Sequence, residues 1–159
     1  MTTIAFREYA DRYELAADSK VSTNKNARFA STKKIHPVPD RFGGGYLAFC
    51  GDLEVCLDLV QHFTETGELK PSKEDVSCCI MHVSGTGARF TERGLSWMDI
   101  NEEFVADGSG DQFAIGAMAM GADPAKAVDI ASSYDSGSSA PVHSVSVPKT
   151  TIACRIYSA

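Results

Sequence analysis

Residues 1–18, MTTIAFREYADRYELAAD, decide the reading of this chain. Thr3, Ile4, Ala5, Phe6 and Arg7 alternate in character, which predicts a strand. A polar turn follows, then a second strand over Tyr13–Ala17 that Asp18 closes. Residues 2–8 and 12–18 therefore read as a hairpin. Thr2 lies directly behind the initiator Met. Once Met1 is removed, Thr2 carries a side-chain hydroxyl and a free α-amine on one residue. An α-amine has an ordinary pKa of roughly 7.7–8.0, so part of it is unprotonated at neutral pH. It can take the proton from its own hydroxyl, which unites nucleophile and base in the manner of a Ser–His pair. With Met1 attached there is no free amine, and that chemistry cannot run.

Outward from the hairpin, residues 19–30 interleave Ser, Thr, Asn and Lys and read as a polar loop. Residues 31–35 can form a short strand, which His36-Pro37-Val38-Pro39 breaks. Gly43-Gly44-Gly45 turns into Tyr46-Leu47-Ala48-Phe49-Cys50, a continuous apolar run that predicts a strand buried on both faces. Gly51-Asp52 ends it. Leu53, Cys56, Leu59, Val60 and Phe63 then recur at helical spacing, with Asp52 as N-cap and Gly67 as terminator.

Strands are predicted over Val76–Val83 and Ala88–Thr91, joined by Gly85-Thr86-Gly87, and over Leu95–Asp99 and Phe104–Ala106. Asp107-Gly108-Ser109-Gly110-Asp111 leads into a small-sided helix over Gln112–Met120. Asp123-Pro124 opens a third helix that runs to Tyr134. Val142–Val147 and Thr151–Tyr157 are strand-like. Helices set against mostly antiparallel sheets fit this order better than a strict βα alternation, so the expectation is an α+β layered sandwich. Neither a repeat nor a linker divides the 159 residues, which suit one domain.

Composition narrows the function. A net charge of -6 argues against a nucleic-acid partner, because phosphate neutralisation needs a basic face. No apolar run approaches the ~20 residues of a membrane helix. The N-terminus lacks the basic region and apolar core of a secretory signal, which points to the cytoplasm. Cys50, Cys56, Cys78, Cys79 and Cys154 are odd in number and form no CxxC, so buried reduced thiols are expected rather than a disulfide framework or a zinc site. His36, His62, His82 and His143 share no ligand spacing. Neither a metal nor a cofactor is expected, and a Ser–His enzyme is disfavoured.

Two spacings and three short motifs then fall in one order. Asp18 lies sixteen residues after Thr2, and Lys34 sixteen after Asp18. Gly51 follows the buried strand, Gly108-Ser109-Gly110 precedes the second helix, and Asp135-Ser136-Gly137-Ser138 supplies a late Asp-x-x-Ser. Together with TTI at the start and KKI around Lys34, this conjunction resembles the N-terminal nucleophile (Ntn) hydrolases of the proteasome β-subunit and HslV type. None of the motifs is specific alone. The chain is somewhat short for that family, and its 36–45 loop is unusually rich in Pro and Gly.

The resemblance implies a four-layer αββα sandwich over residues 1–159, with two antiparallel sheets between helix layers. It implies a threonine peptidase acting on unfolded polypeptides inside a homo-oligomeric ring, fed by an AAA+ unfoldase. Thr2 would be nucleophile and base. Lys34, held charged by Asp18, would depress the pKa of the amine and hydroxyl. The Gly51 N–H would stabilise the oxyanion. Ser109, Asp135 and Ser138 would orient the amine.

Each position keeps a plainer reading. Asp18 and Lys34 could be solvated, Gly51 only a turn, Ser109 only a helix cap, and Asp135 and Ser138 parts of an ordinary loop. Lys33 competes with Lys34, because a one-residue shift reverses which side chain points inward. A proteasome-like scaffold that keeps Met1 and turns nothing over is the alternative function. A small-molecule amide hydrolase on the same fold is a third.

Overall fold

The computed structural model describes residues 2–22 and 28–151. Strands β1 (Thr3–Glu8) and β2 (Arg12–Ala17) form the expected hairpin. Short strands β3 (Lys20–Ser22) and β4 (Arg28–Ser31) pair with each other. Then come β5 (Ile35–Pro37), β6 (Tyr46–Gly51), helix α1 (Leu53–Thr66), β7 (Cys78–Ser84), β8 (Gly87–Glu92) and β9 (Met98–Asp99). The chain continues through β10 (Phe104–Gly108), α2 (Asp111–Ala119), α3 (Pro124–Tyr134) and β11 (His143–Pro148). One antiparallel sheet has the order β10-β1-β2-β11, the other β5-β6-β7-β8-β9.

Alternation along the hairpin sorts its side chains between two interfaces. The register Ile4↔Ala17, Ala5↔Ala16, Phe6↔Leu15 puts Ile4, Phe6, Leu15 and Ala17 on one face. There they meet Ile35, Ala48, Met81 and Val83 of the second sheet, which makes the central core. Ala5 and Ala16 point the other way, against Ala114 and Met118 of α2 and Ala127, Val128 and Ala131 of α3. Strand β6 is divided in the same way. Ala48 and Cys50 face the first sheet, while Leu47 and Phe49 face Cys56, Leu59, Val60 and Phe63 of α1. The layers therefore run helices, sheet, sheet, helix: an αββα sandwich of two antiparallel sheets.

The helix boundaries follow their capping residues. Asp52 accepts from the Val55 N–H at 3.2 Å, and Gly67 takes a left-handed φ of 74° while returning its N–H to Phe63 O. Asp123 caps α3 by accepting from the Lys126 N–H, with Pro124 opening the helix.

Three elements depart from the sequence reading. Part of the 19–30 loop is strand, because Lys20–Ser22 finds a partner in Arg28–Ser31. The strand expected over residues 31–35 is interrupted at 32–34, and His36-Pro37 does not break a strand but belongs to β5. That strand is the edge of its sheet, where a residue without an N–H loses no ladder bond. The strand expected from Leu95 shrinks to Met98–Asp99, since Arg93 and Gly94 both have positive φ and turn the chain there. The expected processing at Met1, the polar stretch 23–27, Cys154 and the terminal strand beyond Thr151 lie outside the described residues.

Candidate active site

The hairpin brings Thr2 and Asp18 together. Because Ile4 pairs with Ala17, Asp18 arrives opposite Thr3. Its backbone N–H donates to Thr3 O at 3.1 Å, and its Oδ1 accepts from the Thr3 N–H at 3.0 Å. Oδ2 accepts from the backbone N–H groups of Lys20 at 2.9 Å and Ser139 at 3.0 Å. Asp18 is fully buried, and a buried carboxyl needs that full set of donors.

Lys34 supplies one donor more. It stands just before β5, whose Ile35 is held in the central core, and it is only 1% exposed. Its Nζ donates to Asp18 Oδ1 at 2.9 Å and to Thr2 Oγ1 at 2.7 Å. Burial pushes the Lys34 ammonium pKa below the ordinary lysine value, and attraction and hydrogen bonding from Asp18 recover part of the shift. Lys33 is exposed, and its carbonyl oxygen lies 3.1 Å from His36 Nε2. The structure thus places Lys34, not Lys33, against Thr2.

A second group of polar side chains lies on the other side of Thr2. Ser109 sits between β10 and α2, and its backbone N–H donates to Thr2 O at 2.8 Å. Its Oγ donates to Asp135 Oδ2 at 2.7 Å rather than capping α2, whose N-cap is Gly110 without a side-chain bond. Ser138 Oγ donates to the same oxygen at 2.6 Å. A hydroxyl has one proton, so in the 2.6 Å contact between Thr3 Oγ1 and Ser138 Oγ the threonine is the donor. Burial alone would raise the Asp135 pKa, but the bonds from Ser138 and Ser109, helped by the Gly137 N–H and Lys20, bring it below the usual carboxylate range. The Lys20 Nζ also donates to Ser136 O, tying that loop down.

Two glycines are there because nothing larger fits. Gly108 has φ 103°, and a Cβ on it would lie 1.9 Å from Thr2 O. Gly51 has φ 123°, and a Cβ on it would lie 2.2 Å from Ser77 O. Gly51 is the last residue of β6, and it lines a cavity of about 780 Å³ together with Thr2, Lys34 and Ser109. All seven residues singled out in the sequence converge: four line the cavity, Asp18 holds Lys34, and Asp135 and Ser138 bond to Ser109 or to each other.

Sequence reading missed Thr3, whose hydroxyl extends the network to Ser138. Neighbours on a strand face opposite ways, and only the 3D path of the 135–138 loop shows where the second side chain goes. It also missed the three backbone N–H groups on Asp18, which carry no residue-type signal. A further trio in the cavity wall, Cys50, Cys79 and Asp107, went unrecognised because it is assembled from three separate strands.

Comparison with solved structures places this geometry in a known fold. A protein called BPH from Thiobacillus denitrificans, in complex with epoxomicin, superposes with a TM-score of 0.74 at 17% identity, covering 94% of this chain and 100% of that one. The same BPH in a second structure gives 0.74 at 18% identity, with coverage of 93% and 98%. Eukaryotic HslV from Trypanosoma brucei gives 0.73 at 16% identity, with coverage of 92% and 99%. The chain has the HslV fold. No protein-family model and no curated protein sequence matches it. The HslV fold accounts for the two sheets and the helix layers. Among the described residues, no helix is long and apolar enough to cross a membrane.

Proposed function

We propose that this HslV-fold chain is a threonine peptidase with Thr2 as its N-terminal nucleophile. The observation that carries the reading is the buried Lys34 ammonium, held by Asp18 and donating to Thr2 Oγ1 at 2.7 Å. After Met1 is removed, the Thr2 amine takes the Oγ proton as Oγ attacks the peptide carbonyl. The Gly51 N–H stabilises the oxyanion, and losing such a donor costs about 2.7–4 kcal/mol in the barrier. The amine then passes its proton to the departing amine, leaving a Thr2 ester. Water, activated by the same amine, hydrolyses that ester and restores the hydroxyl. Lys34 acts as a fixed positive charge that favours the neutral amine, not as the base. Ser109, Asp135 and Ser138 hold the backbone on which Thr2 is mounted.

The substrates in this reading are unfolded polypeptides, cleaved inside a cytoplasmic homo-oligomeric chamber that an AAA+ unfoldase supplies. Two measurements test it. Intact mass of the purified protein should show loss of Met1. Turnover of fluorogenic peptides should be abolished in Thr2→Ala while folding and assembly persist, and Thr2→Ser should keep partial activity because hydroxyl and amine both remain. Epoxomicin, the ligand of the Thiobacillus protein, should inhibit the wild type. Wild-type turnover by Thr2→Ala would end the threonine-peptidase reading. Retained Met1 without turnover would leave the scaffold in its place.

A further inference from the structure

Cys50, Cys79 and Asp107 meet in the wall of the cavity that holds Thr2. Cys50 and Cys79 are directly opposed across β6 and β7, on the face turned toward the first sheet. Asp107 reaches them from β10 of that sheet. The two sulfurs and a carboxylate oxygen all lie within 4.8 Å of one another. Cys50 and Cys79 are 5% and 8% exposed, and Asp107 is half-buried.

We propose that Cys50, Cys79 and Asp107 form a binding site for a thiophilic divalent cation of the zinc class, with its fourth coordination position open to the cavity. Zinc takes thiolate sulfur at about 2.3 Å and carboxylate oxygen at about 2.0–2.2 Å in a tetrahedron, which sets ligand atoms roughly 3.4–3.8 Å apart. The three ligand atoms already lie within 4.8 Å of one another, so they need draw in by only about an ångström. Three protein ligands with one exchangeable position is the pattern of an open zinc site. Two thiolates and a carboxylate overbalance a divalent cation by one negative charge.

Without a cation both thiols stay protonated, because the balance of influences on each disfavours the thiolate. The hydrogen bond with Cys79 favours the Cys50 thiolate, yet burial and Asp107 carry the net shift upward. Cys79 is pushed up by its bond to Cys50 and by burial. A cation replaces those protons and satisfies all three groups at once. The ligand set shares no side chain with Thr2, Asp18 or Lys34, so the site is separate from the proposed peptidase machinery. Its residues come from three strands of two sheets, which is why no short spacing reveals it.

Titration of the purified full-length protein with Co²⁺ and then Zn²⁺ tests this without any turnover assay. One Co²⁺ per chain should give tetrahedral ligand-field bands and a near-ultraviolet thiolate-to-cobalt band, both bleached by one equivalent of Zn²⁺. Cys50→Ser and Cys79→Ser should each weaken the thiolate band and lose stoichiometric zinc binding. Asp107→Asn, which keeps the size of the side chain and an acceptor for the Gly108 N–H, should weaken zinc at least about tenfold. Cys56→Ser removes a thiol on the α1 side of the second sheet, whose Sγ lies 3.2 Å from that of Cys78, and should change nothing. No thiolate-to-cobalt band in the wild type would overturn the proposal. So would a band that survives Cys50→Ser and Cys79→Ser but disappears in Cys56→Ser, or zinc affinity that Asp107→Asn leaves unaltered.

Discussion

Lys34 concentrates the electrostatics of the site in one side chain. An ammonium that is 1% exposed is costly unless paired, and Asp18 supplies the pair. Lys34→Ala should cost most of kcat/KM, and Lys34→Arg should restore it only in part, since the guanidinium is larger and planar. Lys33→Ala should be nearly silent because its side chain is in solvent. Steady-state kinetics on the three variants, with circular dichroism as a folding check, decides between the two lysines. A fixed positive charge is present below its folded-state pKa and is lost as pH rises through it. Burial has lowered that pKa, so the alkaline limb of the rate profile should fall below the ordinary lysine value of about 10.4. Asp18→Asn removes a partner that raises the Lys34 pKa and should move the limb lower still, as a pH–rate profile of both proteins would show. Asp18→Ala should also destabilise the fold by about 3–5 kcal/mol, the usual result of leaving half of a buried pair behind, measurable by urea unfolding.

At the scale of elements, capping separates what the sequence reveals from what it hides. Helices α1 and α3 are legible because Asp52, Gly67 and Asp123-Pro124 mark their ends with local chemistry. Strand β6 is legible because a five-residue apolar run must be covered on both faces. Strands β3, β4 and β5 are not, since each exists only through a partner, and Pro37 carries the opposite local signal. The site divides in the same way. Thr2 and Asp18 keep a readable spacing because the hairpin register sets it, while the Cys50–Cys79–Asp107 grouping depends on one sheet packing on another. Two glycine substitutions test the element-level account. Gly108→Ala forces a Cβ onto Thr2 O at 1.9 Å and should lower the melting temperature and the turnover together. Gly116→Ala, in the exposed middle of α2 with nothing within 4 Å, should instead stabilise by roughly 0.5–1 kcal/mol. Thermal denaturation of the two proteins should show shifts of opposite sign.

Over the whole molecule, the outer face of the α2–α3 layer is unusually apolar. Phe113 and Tyr134 stack at 5.8 Å between centroids, at 45% and 73% exposure, with Ile115 and Met120 also in solvent. The small residues Ala117 and Ala119 of α2 leave room for a close neighbour. Exposed apolar patches of this kind mark association surfaces. The chain should therefore sediment as a homo-oligomer at micromolar concentration, and a single species of 17.0 kDa would contradict the proposed ring.

The four hydrogen bonds accepted by Asp18 have a consequence in time as well as in space. They tie the start of β1, the start of β3, the residue before β5 and the Ser139 loop to one carboxylate in the interior. None of these segments can open alone without stranding a buried acceptor. The amide protons of Thr3, Lys20 and Ser139 should thus exchange with deuterium only as fast as the whole protein unfolds, even though Ser139 lies in a loop and Lys20 in a three-residue strand. Slow exchange at a loop amide would mark the surroundings of Thr2 as among the last parts of the chain to come apart.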